Sequence, residues 1–323
     1  MIVRQVCMRQ SRQLLALNRP RVFSRFLSTD EGRFTSIPEI RSASEPEQYS
    51  RDASKQKFRS LGSAVKEPYE PEDILRNPPT PGDITLELLL ASQTHLGHST
   101  SRWNPQNSSY IFGIREGVHI ISLDVTATHL RRAAKVVEEV AARGGLILFV
   151  GTRKGQKRIV VRAAELASGY HLFERWIPGS LTNAQQILGH CEMKVVNALD
   201  EVLPQFSNGK NSTAGAGGAA EEEEGAERPA LKPDLVVCLN PLENVVLLHE
   251  CALNNIPTVG IIDTDADTTK VTYPIPANDD SLRSVGVIAG ILGQAGYAGQ
   301  LRRLREAEHG RLTYSPTFSA KET

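Results

Sequence analysis

Length, composition and charge restrict what this chain can be. Its 323 residues are 40% hydrophobic and 23% charged, an ordinary globular composition with room for one large or two ordinary domains. The 37 basic residues balance 37 acidic ones, which excludes a uniformly basic nucleic-acid binder, so any polyanion contact must come from local clusters. No apolar stretch reaches the roughly 18 residues of a membrane-spanning helix, so no membrane segment is expected.

The N-terminal region has the composition of a targeting segment followed by an arm. Residues 1–27 contain six arginines and no acidic residue. On a helix, Val3 and Val6 would partly oppose those arginines, which is typical of a mitochondrial presequence, the alternative being a disordered basic tail. Residues 28–83 are mixed in charge and poor in apolar runs, so they are predicted to form an extended N-terminal arm. The expected location is the mitochondrial matrix.

From residue 84 the hydrophobic pattern becomes regular. A short helix capped by Thr85 precedes a β-hairpin with strands at 110–114 and 118–121, and an amphipathic helix follows at 126–143. Strands and helices then alternate, which predicts parallel βαβ units and an α/β fold, a doubly wound parallel sheet flanked by helices. The predicted strands are 146–150, 170–173, 235–239, 258–262 and 272–275, and the predicted helices are 154–168, 182–203, 243–255 and 281–306.

One crossover of this predicted sheet is unusually long. Residues 204–233 include a Gly/Ala run and four consecutive glutamates, Glu221 to Glu224. Such low-complexity sequence offers nothing to pack, so a solvated acidic linker is predicted, with an acidic docking site as the alternative. The α/β domain is therefore expected to span 84–307 with this insertion, followed by a C-terminal tail at 308–323.

The turn after the first predicted sheet strand is strongly basic. Gly151 ends that strand, and Arg153, Lys154, Lys157 and Arg158 follow within a short stretch that contains no acidic residue. Phosphate-binding loops occupy this position in nucleotide-binding α/β proteins. Neither the P-loop nor the dinucleotide fingerprint fits, however, because glutamine stands where the P-loop lysine belongs and arginine where the second dinucleotide glycine belongs. The basic turn therefore favours RNA, and a mitochondrial nucleotide-binding α/β enzyme is the alternative hypothesis.

Two Arg-Trp pairs add to the RNA hypothesis. Arg102 and Trp103 lie in a predicted turn, and Arg175 and Trp176 follow a predicted strand. Tryptophan and arginine can stack on unpaired bases, and arginine can also bind phosphate with two hydrogen bonds. Core packing is the alternative role for each tryptophan.

The sequence predicts no metal, cofactor or catalytic site. His95 and His98 have no cysteine or carboxylate nearby in the sequence, which argues against zinc and favours capping or an RNA backbone contact. The aspartates from Asp263 to Asp267 resemble the start of a calcium loop, but Thr268 occupies the position that requires glycine. A simple turn is therefore favoured, with a magnesium ion held by these carboxylates as the alternative. Four cysteines without a C-x-x-C pair indicate free thiols in a reducing compartment.

Ordered motifs across residues 84–297 resemble the universal small-subunit ribosomal protein two family, in a mitochondrial, fungal-like form. The motifs are His95-Leu96-Gly97-His98, Arg102-Trp103-Asn104-Pro105, Tyr110-Ile111-Phe112-Gly113, Leu148-Phe149-Val150-Gly151-Thr152-Arg153, Leu181-Thr182-Asn183, Asp263-Thr264-Asp265 and Tyr273-Pro274-Ile275-Pro276-Ala277-Asn278-Asp279-Asp280. The chain departs from bacterial members at residues 182–233, where one predicted helix and the acidic linker replace a protruding helical hairpin.

The resemblance implies a flavodoxin-like sheet and a structural, non-catalytic role. It implies a single copy within the small ribosomal subunit of mitochondria, with small-subunit rRNA and neighbouring ribosomal proteins as partners. The RNA-binding residues that it implies are Arg102, Trp103, Arg153, Lys154, Lys157, Arg158, Arg175 and Trp176.

Overall fold

A computed structural model of the chain describes residues 2–6, 71–188, 192–202 and 230–314. The strands are β1 (Ile2–Val6), β2 (Leu96–Ser99), β3 (Ile111–Arg115), β4 (Val118–Ile121), β5 (Ile147–Val150), β6 (Tyr170–Leu172), β7 (Glu192–Val196), β8 (Leu235–Cys238), β9 (Thr258–Ile262) and β10 (Tyr273–Pro276). The α-helices are α1 (Pro71–Arg76), α2 (Leu86–Ala91), α3 (Leu123–Ala142), α4 (Lys157–Leu166), α5 (Ala184–Leu188), α6 (Val245–Leu253) and α7 (Leu282–Glu308). None of the described helices is long and apolar enough to cross a membrane.

The central sheet has five parallel strands in the order β6-β5-β8-β9-β10. Numbered along the chain this is 2-1-3-4-5, the flavodoxin-like order, whose topological switch point lies between β5 and β8. The predicted fold class is confirmed, because all five predicted sheet strands are present and lie within two residues of their predicted bounds.

Helices cover both faces of this sheet. Leu235 and Val237 of β8 join one core with α3, α4 and α7, whereas Val236 and Cys238 join a second core with α6. Successive strand side chains point to opposite faces, so a strand with a helix layer on each side must be apolar throughout. This is why β8 is a continuous apolar run.

Helix α7 packs closely against α3 and α4 because glycines line its inner side. A Cβ atom at Gly296 would lie 2.5 Å from Cβ of Ala167, and one at Gly299 would overlap the carbonyl oxygen of Glu138. The helix extends over 27 residues despite these glycines, because its inner side is buried along most of its length.

A separate three-stranded antiparallel sheet has the order β2-β4-β3. The predicted hairpin corresponds to β3 and β4, with Glu116 and Gly117 at positive φ in the turn. Strand β2 is an addition that the sequence did not predict. It follows helix α2, which Thr85 caps by accepting a hydrogen bond from the backbone N–H of Leu88 at 3.2 Å, as expected.

The predicted helix at 182–203 is wrong. Helix α5 is five residues long, and strand β7 and a turn follow it, with a bridge between Val196 and Val202. Asp200 in that turn has φ of 63°, which no helix continues through. Val195 and Val196 are both β-branched, and such residues favour an extended backbone over a helix.

Two segments of the predicted presequence and N-terminal arm lie within the described residues, namely 2–6 and 71–83. Ile2–Val6 is extended and pairs antiparallel with β7, in contrast to the helix drawn for Val3 and Val6. Helix α1 lies within the predicted extended arm, and its Ile74 and Leu75 pack against the main core. Residues 7–70, the linker at 203–229 and the tail from 315 lie outside the described residues, so the presequence and linker remain predictions.

Candidate nucleic-acid interface

The basic residues predicted from the sequence cluster at the carboxyl ends of the parallel strands. The basic turn follows β5, and Arg175 follows β6, the strand that pairs with β5. Carboxyl ends of parallel strands share one edge of a sheet, where open α/β folds bind their ligands. The exposed cations at this edge are Lys154, Lys157, Arg158 and Arg175. We call these four residues the cationic edge.

Lys157 is held in place by an aromatic ring. Its Nζ lies 4.3 Å from the ring centroid of Phe173, on the loop that follows β6. A cation at this distance is attracted to the negative face of the ring while its ammonium can still contact water or an anion. This contact connects the turn after β5 with the loop that carries Arg175.

Arg153 differs from the cationic edge because it is paired with three carboxylates. Its Nε donates to Oε1 of Glu243 at 2.9 Å, and its Nη1 donates to Oδ1 of Asp279 at 3.1 Å and also contacts Asp280. Although burial alone would lower the pKa of Arg153, the three carboxylates raise it, so the guanidinium stays charged. The structure thus places the partly exposed Arg153 in an ion-pair network with buried Asp279 and the more exposed Glu243 and Asp280, unlike its unpaired, exposed basic neighbour Lys154.

Side chains fill the switch point between β5 and β8. Oγ1 of Thr152 accepts hydrogen bonds from Nδ2 of Asn240 at 2.7 Å and from Nδ2 of Asn244 at 3.1 Å. The backbone N–H of Thr152 donates to Oδ1 of Asn240 at 3.2 Å. A nucleotide phosphate would need this N–H group and this space. Hydrogen bonds between the loops after β5 and β8 occupy both instead.

A shallow cleft of about 320 Å³ adjoins that network. Its lining includes Arg175 and Trp176 from the loop after β6, and Glu243 and Asn244 from the loop before α6. The cleft therefore joins the cationic edge to the β8–α6 loop.

Trp176 is half-buried and has a structural role. It packs against the second core, and its Nε1 donates to Oε1 of Glu250 at 3.2 Å. Glu250 also accepts from the backbone N–H groups of Gly179 at 2.7 Å and Leu181 at 3.0 Å. Burial would raise the pKa of Glu250, but these hydrogen bonds outweigh it and lower the pKa. Glu250 was not predicted as important, because a lone carboxylate in an apolar helix carries no sequence signal of its own.

The Arg102–Trp103 turn lies against the loop after β9. The backbone N–H of Asn104 donates to the carbonyl of Thr264 at 2.8 Å. Buried Asn107 donates from Nδ2 to the carbonyls of Asp263 at 3.0 Å and Ala266 at 2.8 Å. Arg102 is exposed, while Trp103 is 38% exposed, and its ring centroid lies 5.4 Å from that of His119. One side of the indole thus rests on the protein and part of it faces solvent.

A polar cluster around His98, which was not predicted from the sequence, also lies at this edge. Nδ1 of His98, in β2, lies 3.0 Å from Oδ2 of Asp263, and its Nε2 lies 3.2 Å from Oδ2 of Asp280. The interaction with Asp263 is the largest cause of a rise in the pKa of His98 to about 9. The sequence could not show this cluster, because more than 160 residues separate His98 from its partners.

The fold and this edge define a flavodoxin-like α/β protein that lacks the phosphate loop of a nucleotide enzyme. The family described as ribosomal protein S2 matches residues 89–299. The chain therefore belongs to the ribosomal protein S2 family, as the sequence motifs indicated.

Curated relatives refine this placement. The small ribosomal subunit protein uS2m of Neurospora crassa is 55% identical over 260 residues, which cover 80% of this chain and 57% of that protein. The protein of the same name from Schizosaccharomyces pombe is 48% identical over 72% of this chain and 82% of its own length. Protein uS2 of Gluconobacter oxydans is 34% identical over 66% of this chain and 82% of its own length. The expected likeness to mitochondrial and fungal members is confirmed, and a ribosomal structural family agrees with the expectation that the chain is not an enzyme.

Proposed function

We propose that this chain is a structural constituent of the small ribosomal subunit of mitochondria, where it binds rRNA and neighbouring ribosomal proteins. The observation that carries the proposal is its 55% and 48% identity to two proteins named uS2m. The arginine-rich, acid-free segment at 1–27 supports residence in the mitochondrial matrix, because import signals have this composition.

Sedimentation of the tagged, full-length protein from mitochondrial lysate tests this function. We expect it to co-migrate with small-subunit rRNA on a sucrose gradient and to leave those fractions after RNase treatment. Migration at the mass of the free chain, without rRNA, would contradict the proposal. A variant lacking residues 1–27 should accumulate outside mitochondria, whereas continued import would contradict the presequence.

For the RNA contact we propose two groups among the predicted residues. Arg102, Trp103 and the cationic edge face solvent and are proposed to contact rRNA, largely through its phosphates. Arg153 and Trp176 are proposed to act indirectly, because their polar atoms are engaged with Glu243, Asp279 and Glu250. They would fix the conformation of the segments after β5 and β6, which carry the exposed cations.

Salt dependence of RNA binding separates these two groups. Replacing Lys154, Lys157 and Arg158 with alanine should weaken binding to a small-subunit rRNA fragment. The slope of log affinity against log salt should fall by up to about three, since each lost phosphate contact removes roughly 0.7 to 0.9. The matched control replaces exposed cations on α3 and α7, Arg132, Lys135 and Arg305, and should leave the slope unchanged. Equal slopes for the two triple variants would show that the cationic edge does not face RNA.

A further inference from the structure

Helix α6 is apolar on both of its sides. Between Val245 and Leu253 only His249 and Glu250 are polar. Its inner residues, among them Leu247 and Cys251, are buried in the second core against the sheet. A helix that is apolar all round is normally buried all round, because the solvated side of a surface helix carries polar residues. The outer side of α6 is therefore expected to be covered when the protein is in its assembly.

The outer side of α6 presents an apolar stripe. It consists of Leu242, in the turn before the helix, and Val245, Val246 and Leu253, whose exposed fractions range from 39% to 62%. Spacings of three, four and seven residues place these side chains along one face of a helix. Single exposed apolar residues are ordinary, whereas a stripe of them marks a contact with another protein. We call these four residues the α6 face.

The shallow cleft beside the cationic edge extends this apolar surface. Val246 lines the cleft of about 320 Å³, as do Trp176 and Pro178 from the loop after β6. Ile177 stands between those two residues in the chain and is 63% exposed. The apolar surface thus continues from the helix into a concavity that can receive a partner's side chain.

An unpaired positive charge marks the C-terminal end of α6. The exposed Lys232 donates from Nζ to Oδ1 of Asn254, the residue after the helix, at 2.6 Å. In the part of the chain that the structure describes, Lys232 forms no ion pair with a carboxylate. Glu243 and Glu250, the acidic residues beside and within the helix, are engaged by Arg153 and by backbone N–H groups. A partner would complement this end of the helix with an acidic residue.

Two other occupants of the α6 face are disfavoured. Residues 207–229 of the acidic linker contain no Val, Ile, Leu, Met or aromatic residue, so they have no large apolar side chain with which to bury it. RNA is disfavoured because bases stack on aromatic side chains and phosphates bind cations, and the four residues of the α6 face include neither.

We propose that the α6 face binds an amphipathic helix of a neighbouring ribosomal protein, with an acidic residue of that helix paired to Lys232. Helices bound in this way bury apolar residues at the same spacing of three, four and seven that the α6 face shows. The proposal rests on the proposed function, because it takes the partner from the small ribosomal subunit. The bound helix would lie beside the cationic edge and hence beside the rRNA.

Photo-crosslinking of the full-length chain in mitochondria tests the proposal. A benzophenone amino acid is placed at position 246, and small-subunit fractions are collected from a sucrose gradient after irradiation. By mass spectrometry, we expect a crosslinked peptide from another ribosomal protein, with apolar residues at helical spacing and an aspartate or glutamate at the edge of that stripe. A crosslink to rRNA, to residues 7–70 of this chain or to a second copy would overturn the docked helix.

The same gradient distinguishes failure of this proposal from failure of the proposed function. A chain that co-migrates with small-subunit rRNA but gives no crosslink from position 246 would overturn the docked helix alone. A chain that is absent from those fractions would contradict the ribosomal role and, with it, this partner.

A double variant tests the apolar contact. Val245→Ser combined with Leu253→Ser should lower the crosslink yield per chain by about tenfold or more. The thermal midpoint of the purified variant should change by less than about 2 °C, because both side chains are exposed. The matched control combines Leu90→Ser and Leu312→Ser, which are exposed to a similar degree, and should keep the wild-type yield. Equal yields from the two double variants would reject the α6 face as the docking surface.

Charge reversal tests the predicted ion pair. Lys232→Glu should lower the crosslink yield, and changing the acidic residue at the edge of the partner's stripe to lysine should restore it. A yield that Lys232→Glu leaves unchanged, or that the partner's reversal does not restore, would reject the pair and the orientation of the bound helix.

Discussion

The indole of Trp176 donates a hydrogen bond to Glu250 across 3.2 Å, joining the loop after β6 to helix α6. The same carboxylate accepts two backbone N–H groups from the 179–181 turn. One buried side chain thereby fixes the conformation of the segment that follows Arg175. The position of that exposed arginine therefore depends on a residue 75 positions away in the sequence.

Glu250→Ala should destabilise the fold strongly. It leaves three donors without their acceptor, and each buried unsatisfied donor costs about 1 to 3 kcal/mol. We expect the free energy of unfolding, measured with urea, to fall by about 3 kcal/mol or more. Exposed Glu174→Ala is the control and should change it by less than about 0.5 kcal/mol. A similar small loss in both variants would show that the acceptor role is unimportant.

The contribution of Glu250 should also depend on pH. Its pKa is lowered in the folded chain, so ionisation stabilises the fold above the unfolded-state pKa of a glutamate. That stability is lost as pH falls through the folded pKa, because both states are then protonated. The difference in unfolding free energy between wild type and Glu250→Gln should therefore stay nearly constant from pH 7 to about pH 4.5 and shrink at lower pH. A difference that stays constant below about pH 4.5 as well would argue against the lowered pKa of Glu250.

Arg153→Ala should leave buried Asp279 without its counter-charge. Removing one partner of a buried ion pair costs about 3 to 5 kcal/mol, and burial already raises the pKa of Asp279 to about 7. We expect a loss near 3 kcal/mol in urea unfolding, because Arg153 keeps some exposure to solvent. The double variant with Asp279→Asn should recover part of that loss. If the Arg153→Ala variant were as stable as wild type, a structural role for Arg153 would be rejected and a direct contact with RNA favoured.

Asn107→Ala should loosen the Arg102–Trp103 turn. Its Nδ2 donates to three carbonyls of the loop after β9, and their loss should cost about 2 kcal/mol. Amide hydrogen exchange should accelerate in residues 100–107. Affinity for rRNA should fall without a change in salt slope, because no charge is removed. Exposed Gln106→Ala should alter neither measurement, and equal exchange in both variants would contradict this anchoring role.

Gly299→Ala should destabilise the chain although alanine is the better helix former. The added Cβ would overlap the carbonyl of Glu138, and overpacking of this kind costs about 1 to 3 kcal/mol. Gly286→Ala on the same helix is the matched control, because its Cβ would find its nearest neighbour at 3.5 Å. The control should be neutral or stabilising by up to about 1 kcal/mol in thermal or urea unfolding. A loss of stability for Gly299→Ala without a loss for Gly286→Ala is the expected result, and equal effects would reject the close-packing account.

The sequence by itself determined the sheet and the family. Strands β5, β8 and β9 are short apolar runs bounded by glycine, proline or polar residues, and burial on both faces requires that pattern. The short strand β7 and its turn were instead predicted as the end of a long helix, because apolar spacing over a few residues suits either structure.

Only the tertiary structure decided which polar residues meet. Arg153 carries the same charge as Lys154, and nothing local shows that three carboxylates from distant loops enclose one and leave the other in solvent. His98 likewise meets Asp263 and Asp265 only because β2 lies beside the loop after β9. Backbone periodicity reflects burial within one element, whereas these contacts depend on how separate loops converge at one edge of the sheet.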